Sequence, residues 1–227
     1  MTTDDPDGGR EMAELRKDVA PWLTPLLERS AALGFLGGMP VTDQIDHALG
    51  FVLAVESVTG GVPGSVVDLG TGGGVPGVVL ASCWPGSRVV LLDANERRTD
   101  FLADQLDGRE GRPKIQVVRG RAEELGRSPE LREQFDLVTA RSFGSPAVTV
   151  ECGSSLLAVG GSMVISEPPD LEPAGRWPSE GLGLVGLTLG RGFRAGDRYG
   201  YQSFGKTAPL DERYPRRTGI PAKRPLF

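Results

Sequence analysis

A chain of 227 residues, 39% hydrophobic and 24% charged, has enough apolar material for one sizeable core and falls in the soluble globular class. A formal charge of −5 argues against a generic nucleic-acid-coating protein, and two cysteines, Cys83 and Cys152, are too few for a disulfide framework or a thiolate zinc site. With no 18-residue apolar run and no basic-then-apolar leader, the expectation is no membrane span, no secretory signal, no metal, and a reducing cytoplasm.

Residues from about 10 to 58 read as helical. Met12, Leu15, Val19, Trp22, Leu23, Leu26 and Leu27 recur at helical spacing, broken by Pro21 and Pro25. Gly34, Gly37, Gly38 and Pro40 mark a turn, and Ile45, Leu49, Val52, Leu53 and Val55 outline a second amphipathic helix. These residues are expected to form an N-terminal helical extension over 1–60, with the main domain over 61–227.

The pattern then changes. Ser65-Val66-Val67-Asp68 reads as a buried strand ending in an acid, and five glycines follow within Gly70–Gly77. Such density lets the backbone turn sharply and approach a ligand closely, and Pro76 suits the first turn of a helix. A turn of this kind presents backbone N–H groups to a nucleotide-like ligand. Gly72, Gly74 and Gly77 fit G-x-G-x-x-G, which suggests a dinucleotide. Asp68 with Gly70, Gly72 and Gly74 fits D-x-G-x-G-x-G, which suggests S-adenosylmethionine. A carboxylate at the strand end repels a pyrophosphate but can receive the ammonium of a methionine moiety, so Asp68 favours the second reading.

Arg88–Asp93 is a second apolar strand ending in an acid, 23 residues beyond Gly70. An acid at that place sits at the tip of the neighbouring parallel strand and binds ribose hydroxyls; its alternative is to cap the helix from Asn95 to Leu106. Further strands are expected at Ile115–Arg119, Asp136–Ala140 and Ser162–Ser166, with helices centred on Val79, Phe101, Leu125 and Val150. Leu182–Leu189 and Tyr199–Thr207 suit a closing antiparallel pair. The alternation predicts an α/β fold, a doubly wound Rossmann-like sheet of seven strands. Its switch point brings the end of the fourth strand, Thr139-Ala140-Arg141-Ser142-Phe143-Gly144, to the ligand.

Absent motifs narrow the chemistry. No Asn/Asp-Pro-Pro-aromatic run follows the fourth strand, and no Pro-Cys nucleophile occurs. Glu167-Pro168-Pro169 reads as a strand terminator. The only histidine, His47, lies on the N-terminal helix, where packing or capping is its expected role. Lack of a general base does not hinder methylation of a ring nitrogen with a free lone pair, because no proton must leave; orientation then carries catalysis. Arg141 is the candidate catalytic residue, holding a cofactor carboxylate or a purine edge. A dehydrogenase would need a Tyr-x-x-x-Lys pair or a substrate-side histidine, and neither stands in a suitable place.

Charge is unevenly spread. Residues 191–227 carry nine Lys and Arg against three Asp and Glu, leaving the rest of the chain near −11. A basic terminus on an acidic body suits local phosphate contact, and Arg213, Arg216, Arg217, Lys223 and Arg224 are its candidate RNA-binding residues, held extended by Pro215 and Pro221.

Taken together, VVDLGTGGGVPGVVLA, LLDANERRTDFL, GRAEEL, TARSFGSP and RYPRRTGIPAKRPL resemble the bacterial small-subunit ribosomal RNA methyltransferase G family, also called glucose-inhibited division protein B. The resemblance implies a class I S-adenosylmethionine-dependent methyltransferase with an N-terminal helical cap, forming N7-methylguanosine in 16S rRNA. It places cofactor contacts on Gly70, Val75, Ala122, Glu123 and Arg141, with Ala122 and Glu123 beside the adenine and Asp93 on the ribose. The implied partner is 16S rRNA or the small ribosomal subunit. Two positions depart from the family pattern: Asp46 stands where a basic residue usually precedes the histidine, and Glu167 stands where a lysine usually ends the fifth strand. Both replace positive with negative charge, which keeps open a paralogue with another substrate.

Overall fold

A computed structural model describes residues 10–107, 114–168 and 173–227, with the side chains of residues 173 and 174 outside the description. In chain order it contains α1 (Met12–Leu15), a 3-10 turn (Arg16–Asp18), α2 (Leu23–Ala32), α3 (Val41–Thr59), β1 (Ser65–Leu69), α4 (Gly77–Cys83), β2 (Arg88–Asp93), α5 (Glu96–Leu106), β3 (Ile115–Arg119), α6 (Ala122–Leu125) and β4 (Phe135–Ala140). There follow α7 (Pro146–Ser154), β5 (Leu157–Glu167), α8 (Pro173–Arg176), α9 (Ser179–Leu184), β6 (Leu187–Ala195), β7 (Tyr199–Lys206) and α10 (Ile220–Lys223).

The strands form one seven-stranded sheet in the order β3-β2-β1-β4-β5-β7-β6. The first five are parallel, and β7 runs antiparallel to both β5 and β6. Alternation along each strand splits the core. Val66, Val89, Leu91, Leu137 and Val164 face one side, where they share a hydrophobic cluster with Leu15, Leu23, Leu27, Leu49 and Phe51 of α1–α3. Val67, Leu69, Val90, Leu92, Val138 and Met163 face the other, under α6, α7 and α9. The N-terminal helices are therefore packed into the sheet's own core.

Four local expectations differ from what is observed. β5 starts at Leu157, five residues before the expected Ser162. Residues 182–184 are helical, and the strand starts only at Leu187: Leu182 is an apolar residue of a short helix packed on the core, which periodicity over so few residues cannot tell from a strand. Pro76 occupies the N-cap of α4 and not its first turn. Pro221 sits inside α10, so the terminus folds back instead of running extended. β5 ends at Glu167, as the Glu167-Pro168-Pro169 run suggests; Pro169 lies outside the described residues.

Candidate active site

The strand order reverses between β1 and β4, the place where open α/β sheets bind ligands. A cavity of about 540 Å³ lies there, lined by Gly70, Asp93, Ala122, Glu123, Phe143 and Ala222 among others. Gly70 and Phe143 form its floor. Gly70 has φ +72°, a conformation that side chains rarely adopt, and a Cβ there would stand 2.5 Å from Phe143 Cδ2. Glycine is thus required twice over, by backbone and by contact.

Asp93 closes the β2 side. Its Oδ2 accepts from Gly72 N at 2.8 Å and its Oδ1 from Asn95 N at 2.8 Å, so one carboxylate ties the glycine turn to the start of α5. The helix cap is the Asn95 side chain, which accepts from Arg98 N. Asp93 lines the cavity with Arg98, whose Nη1 lies 3.8 Å from Oδ2, and a carboxylate has lone pairs beyond those the two amides use, which a diol can occupy.

Glu123 is buried beside the opposite wall. Burial pushes its carboxyl up, but hydrogen bonds from Gly219 N at 3.0 Å and from its own amide, with Arg121 alongside, outweigh that and hold it below the usual range. The carboxylate therefore anchors the returning terminus, while Ala122 and the cavity face of Glu123 remain available to a ligand.

Asp68 lies behind the turn and does not line the cavity. Fully buried, it accepts from Gly77 N at 2.9 Å and from Thr139 Oγ1 at 3.2 Å. Burial pushes it up to about 6, with those hydrogen bonds and the Arg141 charge pulling back. Its place is that of a clamp between β1, α4 and β4. Gly72, Gly74 and Val75 likewise shape the turn from outside the cavity lining.

Arg141 and Phe143 leave the end of β4 in different directions because Ser142 between them has φ +54°, a strained conformation for a non-glycine residue. Phe143 covers Gly70 and lines the cavity, whereas Arg141, the expected catalytic residue, does not line it. Arg141 is pushed below its ordinary value by burial, with Asp68 and Tyr201 opposing the shift, and its Nη1 lies 3.2 Å from His47 Nδ1. A guanidinium has no acceptor, so Nδ1 accepts and His47 is neutral. Burial and the Arg141 charge hold the imidazole down at about 4. His47 also packs on Phe51, Tyr199 and Tyr201. Packing, the role expected of His47, is observed; its bond to Arg141, 94 residues away, leaves no local signal in the sequence.

The departures in charge are balanced on the spot. Asp46 pairs with Arg16 at 2.8 Å, and Glu167 with Arg176 at 2.6 Å. Of the five basic residues singled out in the terminus, Arg213, Arg217, Lys223 and Arg224 are exposed. Arg216 is committed to Glu151, which is wholly buried: Arg216 Nη2 and Nε donate at 2.6 and 2.9 Å. Its guanidinium serves the fold, a role that spacing alone cannot separate from surface charge.

The sheet, its switch point and the cavity define a class I S-adenosylmethionine-dependent methyltransferase. Solved structures agree on the fold. A 16S rRNA (adenine(1408)-N(1))-methyltransferase from Catenulisporales acidiphilia, solved with cosubstrate SAM, is similar with TM-score 0.55 and 17% identity, covering 65% of this chain and 86% of that one. A putative O-methyltransferase from Klebsiella pneumoniae has TM-score 0.55 and 15% identity, covering 83% and 91%. Sequence relatives are nearer. The ribosomal RNA small subunit methyltransferase G of Symbiobacterium thermophilum is 38% identical over 198 residues, 80% of this chain and 78% of that one. That of Pelotomaculum thermopropionicum is 33% identical, covering 71% and 70%. Residues 35–167 match the family described as rRNA small subunit methyltransferase G, and the chain belongs to that family.

Proposed function

We propose that this protein transfers the methyl group of S-adenosylmethionine to N7 of a guanine in 16S rRNA, as free RNA or within the small ribosomal subunit. The observation that carries the reading is the 540 Å³ cavity at the switch point, walled by Gly70, Asp93, Ala122 and Glu123. Its size suits a nucleoside-bearing cosubstrate. The fit is chemical as well: a carboxylate with spare lone pairs for a ribose diol, a floor where a Cβ would collide, and a buried alanine beside the place of an adenine.

Bound there, S-adenosylmethionine supplies an electrophilic methyl: the N7–carbon bond forms as the carbon–sulfur bond breaks, the electron pair stays on sulfur, and the positive charge passes to the base. No proton leaves, so neither a general base nor a metal is called for. That suits a chain whose only histidine is neutral, packed among aromatics and engaged by Arg141. Arg141, at the end of β4, does not line the cavity; bonded to His47, it is the group we assign to positioning the β4 end beside which the reacting partners align.

Arg213, Arg217, Lys223 and Arg224 supply the phosphate contacts. The exchange of charge at Asp46 and Glu167 does not oppose RNA, since Arg16 and Arg176 neutralise both carboxylates. A ribosomal substrate places the protein in the cytoplasm; among the described residues no helix is long and apolar enough to cross a membrane. The test is transfer of labelled methyl to deproteinised 16S rRNA, to 30S particles and to a small-molecule panel, with the product nucleoside identified by mass. Transfer to a small molecule and to neither RNA form would refute it.

A further inference from the structure

A second cavity, of about 170 Å³, adjoins the first and shares the Ser142–Phe143–Gly144 segment as a common wall. It opens between the ends of β4 and β5 and is lined by Phe143, Pro146, Ser166, Glu167, Arg176 and Trp177. Two polar groups in its lining are unusual. Trp177 is 2% exposed, and its indole Nε1–H has no hydrogen-bond partner among the described residues. Its ring is fixed edge-on against Phe204, with centroids 4.8 Å apart, so the N–H cannot swing out to water. Buried donors are seldom left unpaired, and one beside a cavity asks for an acceptor from outside the protein. Glu167 is the second. Its side chain is 10% exposed and forms an ion pair with Arg176, whose Nε lies 2.6 Å from Oε2 but is not aligned for a hydrogen bond, so the carboxylate's lone pairs stay open.

One donor beside one carboxylate is a pattern that tells bases apart. The Watson–Crick edge of guanine presents, in order, the O6 acceptor, the N1–H donor and the N2 amino donor. Adenine presents an amino donor and then the bare N1 lone pair, which a carboxylate repels. Enzymes that act on a base commonly extrude it and read this edge in a pocket flanked by aromatic rings. We infer that the second cavity is the base-reading pocket, where the Glu167 carboxylate accepts from guanine N1–H and N2–H and the Trp177 indole N–H donates to O6. N7 adjoins O6 on the ring's other side and makes no contact in this arrangement, leaving it directed to the Ser142–Phe143–Gly144 segment where the two cavities meet. The inference rests on the guanine-N7 reading and deepens it by assigning specificity to two side chains. Arg176 acts through Glu167 and is a positioning residue.

The test uses the guanine that the wild-type protein methylates in 16S rRNA, and the same RNA carrying inosine there. Inosine lacks only the N2 amino group and keeps N7. We expect kcat/KM to fall about ten-fold or more for inosine with the wild type. Glu167→Met and Glu167→Ala, neither of which leaves an oxygen to accept from N2–H, lower kcat/KM on the guanine RNA by about 10–100-fold, as for loss of a bidentate base contact, and abolish the guanine–inosine difference. Trp177→Phe lowers kcat/KM but keeps that difference. Affinity for S-adenosylhomocysteine stays within two-fold throughout, which separates base reading from collapse of the site. Should Glu167→Ala fail to fold, the similarly sized Glu167→Met carries the comparison. Equal turnover of guanine and inosine by the wild type, or discrimination retained without Glu167, overturns the pocket while leaving guanine methylation standing. Methyl transfer to a different base, or to no rRNA, overturns the proposed function and the pocket with it.

Discussion

Arg141 and His47 stand 94 residues apart in the chain and 3.2 Å apart in the fold, joining the end of β4 to the middle of α3. The contact sets a pH signature. His47 is depressed to about 4 by burial and by Arg141, so between its ordinary value and 4 the unfolded chain takes up a proton that the folded one refuses. Stability from this group is present at neutral pH and lost as pH falls through that window. Asp68, raised to about 6 by burial, has the opposite sign: the folded state takes the proton first, so acidification from 6 downward adds stability. The two slopes oppose each other in the wild type. His47→Gln removes the first alone, so between pH 7 and pH 5 the variant gains about 2 kcal/mol relative to wild type. Urea denaturation at both pH values checks this; identical pH slopes would contradict it.

Glycine substitutions separate the required positions from the dispensable ones. Gly70→Ala puts a Cβ 2.5 Å from Phe143 at φ +72°, and Gly77→Ala puts one 2.2 Å from Leu91 and 2.8 Å from Asp68 Oδ2. Each is expected to destabilise by about 2–4 kcal/mol, from overpacking with, at Gly70, a left-handed backbone in addition. Gly86→Ala meets nothing within 4 Å and has no positive φ, so it changes stability by less than about 0.5 kcal/mol. Chemical denaturation of the three variants tests the ordering.

Asp93→Ala removes a carboxylate that already accepts from Gly72 and Asn95 and that we assign to the ribose. Hydrogen bonds to a charged group are worth about 1.5–3 kcal/mol each, so affinity for S-adenosylhomocysteine falls by about 10–100-fold. Calorimetry giving wild-type affinity would remove Asp93 from the cofactor site.

What could be read in the sequence was what repeats or clusters. The glycine turn after β1, the acid at the end of β2 and the β/α alternation are local, and each led to the right element. The unread parts are pairings between distant residues. Nothing near His47 announces Arg141, nothing near Glu123 announces the amide of Gly219, and nothing near Arg216 announces a buried Glu151. Trp177 and Glu167 belong with these, since a cavity wall is assembled from several elements. Asp93 shows the boundary well: its place at the strand tip was legible, but its amide partners depend on how the glycine turn folds over it.

The basic terminus divides into structural and exposed charge. Arg216→Ala strips a wholly buried carboxylate of its partner and is expected to cost about 3–5 kcal/mol of stability. Changing Arg213, Arg217, Lys223 and Arg224 together to Gln leaves stability near wild type. If all four neutralise phosphates, the slope of log affinity against log salt for 16S rRNA becomes shallower by about three units. An unchanged slope would take the terminus out of RNA recognition.

The wall that Ala222 contributes to the large cavity, with the Gly219 amide seated on Glu123, gives this site an order of assembly. A nascent chain that has emerged as far as Phe143 already holds Gly70, Asp93 and Glu123, yet its pocket stays open on one side and Glu123 lacks the Gly219 amide. The large cavity therefore closes only once residues 219–222 are in place, after the sheet's five parallel strands are available to pair.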